Sequence, residues 1–329
     1  MAHNLEIKNG KAQMFSVREV PWHKLGTIVE EAPTVAEAIK LAGLDWKVVE
    51  KQIHFHDPAF GNNGFRRIEG YKSLIRSSDD KVLSVMKDTY TVLQNSDAFD
   101  FFSPFVEAKE ASLETAGSLR EGKLIWVMAK LNRAPIEVGK GDEVNKFLLL
   151  SNSHDGTMAV RVGFSPVRVV CNNTLTASHN NSKSQLIKLR HSKGVNNRLD
   201  NVQEIINAID AKFEATAEQY KYLASKVINQ KQFETFVNIV FKLNDKGDER
   251  EKQRHKKMQE TITRLFENGA GQHLKSAKGT RWGAYNAVTE YLTHEYGNNE
   301  ETRLNANWFG YAANVNEEAF DTLIVGKGI

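Results

Sequence analysis

Hydrophobic periodicity changes once along this chain, near residue 180, and that change limits the folds open to it. Before it, apolar residues fall in short β-type runs such as YKSLIRSS (71–78), KLIWVMAKL (123–131) and TMAVRVGFSPVRVVCN (157–172). Short apolar runs bounded by turn residues are the mark of strands. After it, Leu199, Val202, Ile205, Ile206, Ile209, Phe213, Tyr220, Leu223 and Val227 recur at helical spacing. The chain therefore reads as α+β. A mixed or mainly antiparallel sheet with helices is expected over 1–180, and a helical region over 181–329, joined by a basic connector at 181–198.

Local signals fill in this outline. Thr34 is placed to cap a short helix that Gly43 ends. Trp46 to Phe55 reads as a strand, and 56–64 as a loop. The runs 71–78 and 81–93 read as a hairpin about Asp79-Asp80, and Asn95 or Ser96 can cap a helix through DAFDFFSPFVEA. A second hairpin turns at Asp155-Gly156, and Pro166 in its second strand implies an edge, a bulge or a break. In KGDEREKQRHKK the interleaved signs suit an exposed helix surface.

No run approaches 18 apolar residues, so a membrane span is not expected. The N-terminus has no apolar core of a secretory signal, and the single cysteine, Cys171, has no partner for an internal disulfide. These features fit a cytoplasmic protein. The net charge of +3 is unevenly spread. Residues 181–281 carry 20 Lys and Arg against 12 Asp and Glu, a balance of +8, whereas 282–329 carry 2 against 7. A basic centre implies an anionic partner for that part of the chain.

The richest chemistry lies in SNSHDGTMAVRVGFSPVRVVCNNTLTASHNN (151–181) and the connector after it. Arg161, Arg168, Lys183, Lys188, Arg190, Lys193 and Arg198 form a candidate phosphate-binding set, because cations release condensed counterions on meeting a nucleic-acid backbone. Phe164, Trp282 and Tyr285 are candidates for stacking bases. His154, Asp155, Cys171, Asn172, Asn173, Thr174 and His191 form a polar cluster of undefined role. A Cys171 nucleophile with His154 or His191 as base is one reading of it. A small buried cysteine ending a strand, with the Asn and Thr side chains capping a following helix, is the other. No catalytic motif is present, and no metal motif either: CxxC and HExxH are absent, and His54 and His56 share a strand face with only Asp57 beside them. The GAG of NGAGQHLKSAKGTRWG lacks Walker spacing, so no cofactor is expected. Trp22 and His23, with Gly26, read as an anchor for an N-terminal arm, either within the chain or on a second copy, and a homo-oligomer is expected.

Several landmarks carry a resemblance: PWHKLGT (21–27), YTVLQNSDAF (90–99), LETAGSLREGKLIWVMAKL (113–131), SNSHDGTMA (151–159), VRVVCNNTL (167–175), LRHS (189–192) and GTRWGAYNAVTEYLTH (279–294). Together they resemble the phage/plasmid-like protein family, also described as domain of unknown function 932. The resemblance implies an intracellular protein of a mobile element or its bacterial host, and brings no assigned activity. Over 34–105, the order of elements also resembles the core of strand-annealing recombination mediators. The expected function is nucleic-acid binding in phage or plasmid DNA metabolism, on single-stranded DNA and without an enzymatic step. The alternatives are an accessory protein that modulates a host system through protein contacts, and a Cys/His-dependent enzyme.

Overall fold

The structure, a computed structural model, describes residues 7–8, 11–18, 26–61, 64–168, 173–174, 186–195, 202–243, 248–297, 310–326 and 328–329. Trp22, His23, Cys171, Asn172, Lys183 and Arg198 lie outside the described residues, as do the side chains of Phe164, Asn173 and Thr174.

Two short antiparallel strands, β1 (Ile7–Lys8) and β2 (Lys11–Ala12), precede β3 (Met14–Val17), which pairs in parallel with β4 (Thr27–Val29). Thr34 caps α1 (Val35–Leu41) through a capping box: its side chain accepts from the Glu37 amide, and the Glu37 carboxylate accepts from the Thr34 amide. β5 (Val48–His56), β6 (Phe65–Arg76) and β7 (Val82–Lys87) make a separate antiparallel sheet in that order. The strand expected over 81–93 stops at Lys87. There the Asp88 amide bonds to the Gly70 carbonyl, and the chain turns inward to bury Tyr90 and Leu93. The single helix expected next is two, α2 (Asn95–Asp100) and α3 (Ser103–Glu107), because Pro104 has no amide to continue the ladder and sits instead at the start of α3.

β8 (Ala111–Leu119) and β9 (Leu124–Leu131) form a hairpin. Ala116, Gly117, Ser118 and Leu119 are all buried, so this end of β8 is covered on both faces and shows no alternation in sequence. Gly117 is required there: an added Cβ would lie 2.7 Å from both Met14 Cβ and the Trp126 ring. Beyond it come β10 (Ile136–Gly139), β11 (Asp142–Ser153), β12 (Val160–Arg168), β13 (Asn173–Thr174) and β14 (Leu186–Leu189). β12 continues through Pro166. The helices are α4 (Val202–Ser225), α5 (Gln230–Phe241), α6 (Glu249–Asn268) and α7 (Arg281–Glu290), then a π-helical turn (Tyr291–Glu295) and α8 (Tyr311–Val325). The fold class is α+β, with the helices concentrated toward the C-terminus. No helix among the described residues is long and apolar enough to cross a membrane.

The chain divides into two compact units, each made of several segments: 1–132, 148–162 and 187–205 in one, and 133–147, 163–186 and 206–329 in the other. Both units draw on chain from either side of residue 180. In the first unit the main sheet runs β11-β9-β8-β3-β4. Phe15, Leu44, Phe99, Phe102 and Trp126 fill its core. In the second unit, β10 pairs with β11 and β12 with β13. Its helical core centres on Trp282, packed 4.7 Å from Tyr220 and 6.0 Å from Tyr285 by ring centroids, and on Phe233 stacked 4.1 Å from Phe266.

Candidate nucleic-acid interface

The polar residues read from the sequence fall into separate settings. In the first unit His154 is fully buried. Asn95 donates through Nδ2 to the Leu44 carbonyl at 3.0 Å, which leaves Asn95 Oδ1 as an acceptor for His154 Nε2 at 2.9 Å. His154 therefore carries its proton on Nε2, and its Nδ1 has no hydrogen-bond partner among the described residues. Burial, reinforced by the charge of His191, lowers the His154 pKa to about 3. Its backbone joins two further segments, accepting from the Ser84 hydroxyl at 2.7 Å and donating to the Lys123 carbonyl at 2.7 Å. His154 is thus a neutral joint in the fold.

His191 stacks on Tyr90 at 4.5 Å, and its Nδ1 lies 3.1 Å from the Thr91 carbonyl. Burial lowers its pKa, with backbone hydrogen bonds opposing the shift. Asp155 shapes the hairpin turn by accepting from the amide and hydroxyl of Thr157 at 3.1 and 2.6 Å. Arg161 is half-buried, and desolvation lowers its pKa. Lys188, Arg190 and Lys193 are exposed in this unit.

Arg168 is different, and its assignment to phosphate contact is corrected. It is wholly buried in the second unit, where Nε and one terminal nitrogen grip Asp142 at 2.7 and 2.8 Å. Its remaining donors reach the carbonyls of Ala270 and Gly271, each at 3.3 Å, and the guanidinium lies 5.5 Å from the Trp282 ring centre. Ser276 and Trp282 Nε1 also donate to Asp142. Burial raises the Asp142 pKa, but hydrogen bonds and charge from Arg168, with Ser276 and Trp282, hold it below its ordinary value. This cation is already neutralised and has no surface to offer a phosphate. Trp282 and Tyr285 are likewise core residues, at 0% and 3% exposure, and cannot stack on bases. Asn173 and Thr174 form β13 against β12, and the helix expected after them lies outside the described residues.

The second unit instead builds an open cleft, with a volume of about 990 Å³, that sequence reading missed. One wall is α6, whose cap Asp248 accepts from the Glu251 amide at 2.8 Å. Arg254, Lys257, Met258 and Thr261 line the cleft at helical spacing, with His255 beside them. The opposite wall is aromatic. Tyr291 and Tyr296 are five residues apart, a spacing that an α-helix would splay around its axis. The π-helical turn draws them together: the Tyr296 amide bonds to the Tyr291 carbonyl at 2.8 Å, and the rings meet edge to face at 6.2 Å. Tyr296 in turn stacks on Tyr311 at 5.5 Å, and Phe241 meets Tyr291 at 5.7 Å.

Burial pushes the Tyr291 hydroxyl up to about 12 and raises Tyr296 and Tyr311, so all three are neutral donors at physiological pH. Glu295, the acidic residue in the lining, is engaged by Arg264. The cleft thus presents stacked phenol faces opposite the Lys257 ammonium and the exposed Arg254 guanidinium, which also reaches Glu251 at 3.7 Å one turn back on the same helix. The composition held one signal for it: six of the eight tyrosines lie beyond residue 219. Among the described residues no cluster of His, Cys, Asp and Glu could hold a metal ion.

These features define an α+β protein with an aromatic and cationic cleft in its helical unit. Residues 82–309 match the family described as Domain of unknown function (DUF932), and the chain belongs to that family. No curated protein and no solved structure matches the chain.

Proposed function

We propose that this protein binds single-stranded nucleic acid, with bases stacking on Tyr296 and Tyr311 and phosphates held by Arg254 and Lys257. The observation that carries this reading is the pairing of flat rings and cations across one cleft. Single-strand binders combine these two elements, since every base has a face to stack and every nucleotide carries a charge. The cleft is at the upper limit for a small-molecule pocket, which suits a segment of chain better than one compact metabolite. The basic balance of 181–281, which includes α6, supports the same reading. On this reading the protein acts in the cytoplasm, in phage or plasmid DNA metabolism, by holding the backbone and leaving base edges open.

Fluorescence anisotropy with a labelled single-stranded oligonucleotide at two salt concentrations tests it. Tyr296→Ala and Tyr311→Ala are each expected to weaken binding by roughly 5- to 150-fold, the loss of about 1–3 kcal/mol of stacking. Lys257→Glu is expected to weaken binding and flatten the salt dependence by about one ion. Lys188→Glu with Arg190→Glu, in the other unit, reports whether the connector contributes as well. Absence of binding at low salt, or binding untouched by the cleft variants, rejects the cleft as the site.

A further inference from the structure

We infer that the outward face of the β5-β6-β7 sheet is a docking surface for a second copy of this chain. Residues opposite one another in an antiparallel pair share a face. The register sets Val49 opposite Ile75 and Ile75 opposite Val82, Ser73 opposite Val85, Tyr71 opposite Lys87, and Phe55 opposite Arg66. The other face turns inward, where Leu74 and Arg76 are buried opposite Glu50 and Val48. On the outward face Val49, Phe55, Tyr71, Val82 and Val85 are 39–57% exposed, and Ile68, two residues from Arg66, is 37% exposed. A strand with one solvated face ordinarily carries polar residues there. Here the inward face mixes Val48 and Leu74 with Glu50, Lys72 and Arg76, whereas the outward face carries an exposed apolar row interrupted by Lys51, Ser73 and Lys87, a pattern that calls for a second layer over the apolar part.

Two features select the occupant. The first is charge. Lys51 on this face pairs with Asp80 at 3.2 Å, and Arg66 with Asp57 at 3.7 Å, so that even with Lys87 at its edge the face carries only a small positive balance and holds little attraction for a polyanion. The second is shape and area. The same rows of apolar side chains meet across a two-fold axis without any new complementary surface. Two twisted sheets of this kind pack face to face in the aligned manner of a sandwich. The six exposed side chains offer on the order of 500 Å² per copy, so the pair would bury about 1,000 Å², the lower bound for a specific interface. The interface is therefore a reversible dimer contact, and it is independent of the strand-binding cleft.

Sedimentation velocity on the full chain tests it. The unaltered protein is expected to sediment as a dimer at micromolar concentration. Val85→Glu and Tyr71→Glu are each expected to raise the dimer dissociation constant at least tenfold, because each places a charge in an apolar contact. Both sites are exposed in the single chain, so thermal midpoints should stay within a few degrees, and Val82→Ser gives a milder variant of the same kind. A chain that is monomeric throughout, or a dimer that survives all three substitutions, overturns the inference. Loss of oligonucleotide binding in these variants without loss of dimer would assign the face to nucleic acid and also overturn it. Failure of the cleft variants in the anisotropy experiment leaves this result unaffected.

Discussion

Replacing Arg168 by alanine is expected to destabilise the protein by about 3–5 kcal/mol, read as a lower midpoint in chemical denaturation. Both members of the Arg168–Asp142 pair are wholly buried. Removing the guanidinium leaves the Asp142 carboxylate in the interior with Ser276 and Trp282 as its side-chain donors among the described residues. It also leaves the carbonyls of Ala270 and Gly271 without these contacts. Most of the loss is the expense of an orphaned charge. Removing both charges together, as Asp142→Leu with Arg168→Met, is therefore expected to destabilise less than Arg168→Ala alone. A double variant as unstable as the sum of the two single variants would show that the pair does not act as a unit.

Acidification from pH 7.5 to pH 5 is expected to remove about 2 kcal/mol of stability through His154 alone. The ordinary pKa of the imidazole is 6.5, and in the fold it is lowered to about 3. Between these values the unfolded chain takes up a proton that the folded chain refuses. The contribution is complete above pH 6.5, declines as pH falls, and levels off below about pH 3. The buried ring is poorly placed to hold a charge: its Nε2–H donates to Asn95 Oδ1, its Nδ1 has no hydrogen-bond partner among the described residues, and Trp46 packs against it at 5.5 Å. His191, also lowered, adds to the same slope. Denaturant titrations at the two pH values measure the difference. His154→Gln is expected to lower stability at pH 7.5 but to shrink the pH dependence, whereas an unchanged slope would place the acid sensitivity elsewhere.

Much of the architecture was legible because it rests on local rules. Thr34 caps α1 as its sequence indicates, with Glu37 completing the box. Asp79 and Asp80 turn the β6-β7 hairpin, and the long apolar spacing after residue 200 is α4. The features that local rules do not reach are those whose burial is set from far away. One end of β8 is covered on both faces and so loses its alternation, and β7 ends where Asp88 meets Gly70. Arg168 sits on a strand with the spacing of a surface cation, yet its partner Asp142 is 26 residues earlier and Trp282 far later in the chain. No local window contains that information.

The candidate site divides in the same way. Periodicity and composition are enough to establish the α+β class, the basic middle of the chain and the abundance of tyrosine toward its end. Which cations and rings face solvent together depends on packing between distant segments. Tyr291 and Tyr296 come into contact through a π-helical turn that no 3.6-residue repeat encodes, and Tyr311 joins them from another helix. Arg168, Trp282 and Tyr285 are withdrawn into the core by partners distant in sequence. A residue's chemistry is written at its own position, but its exposure is fixed by whatever else packs there.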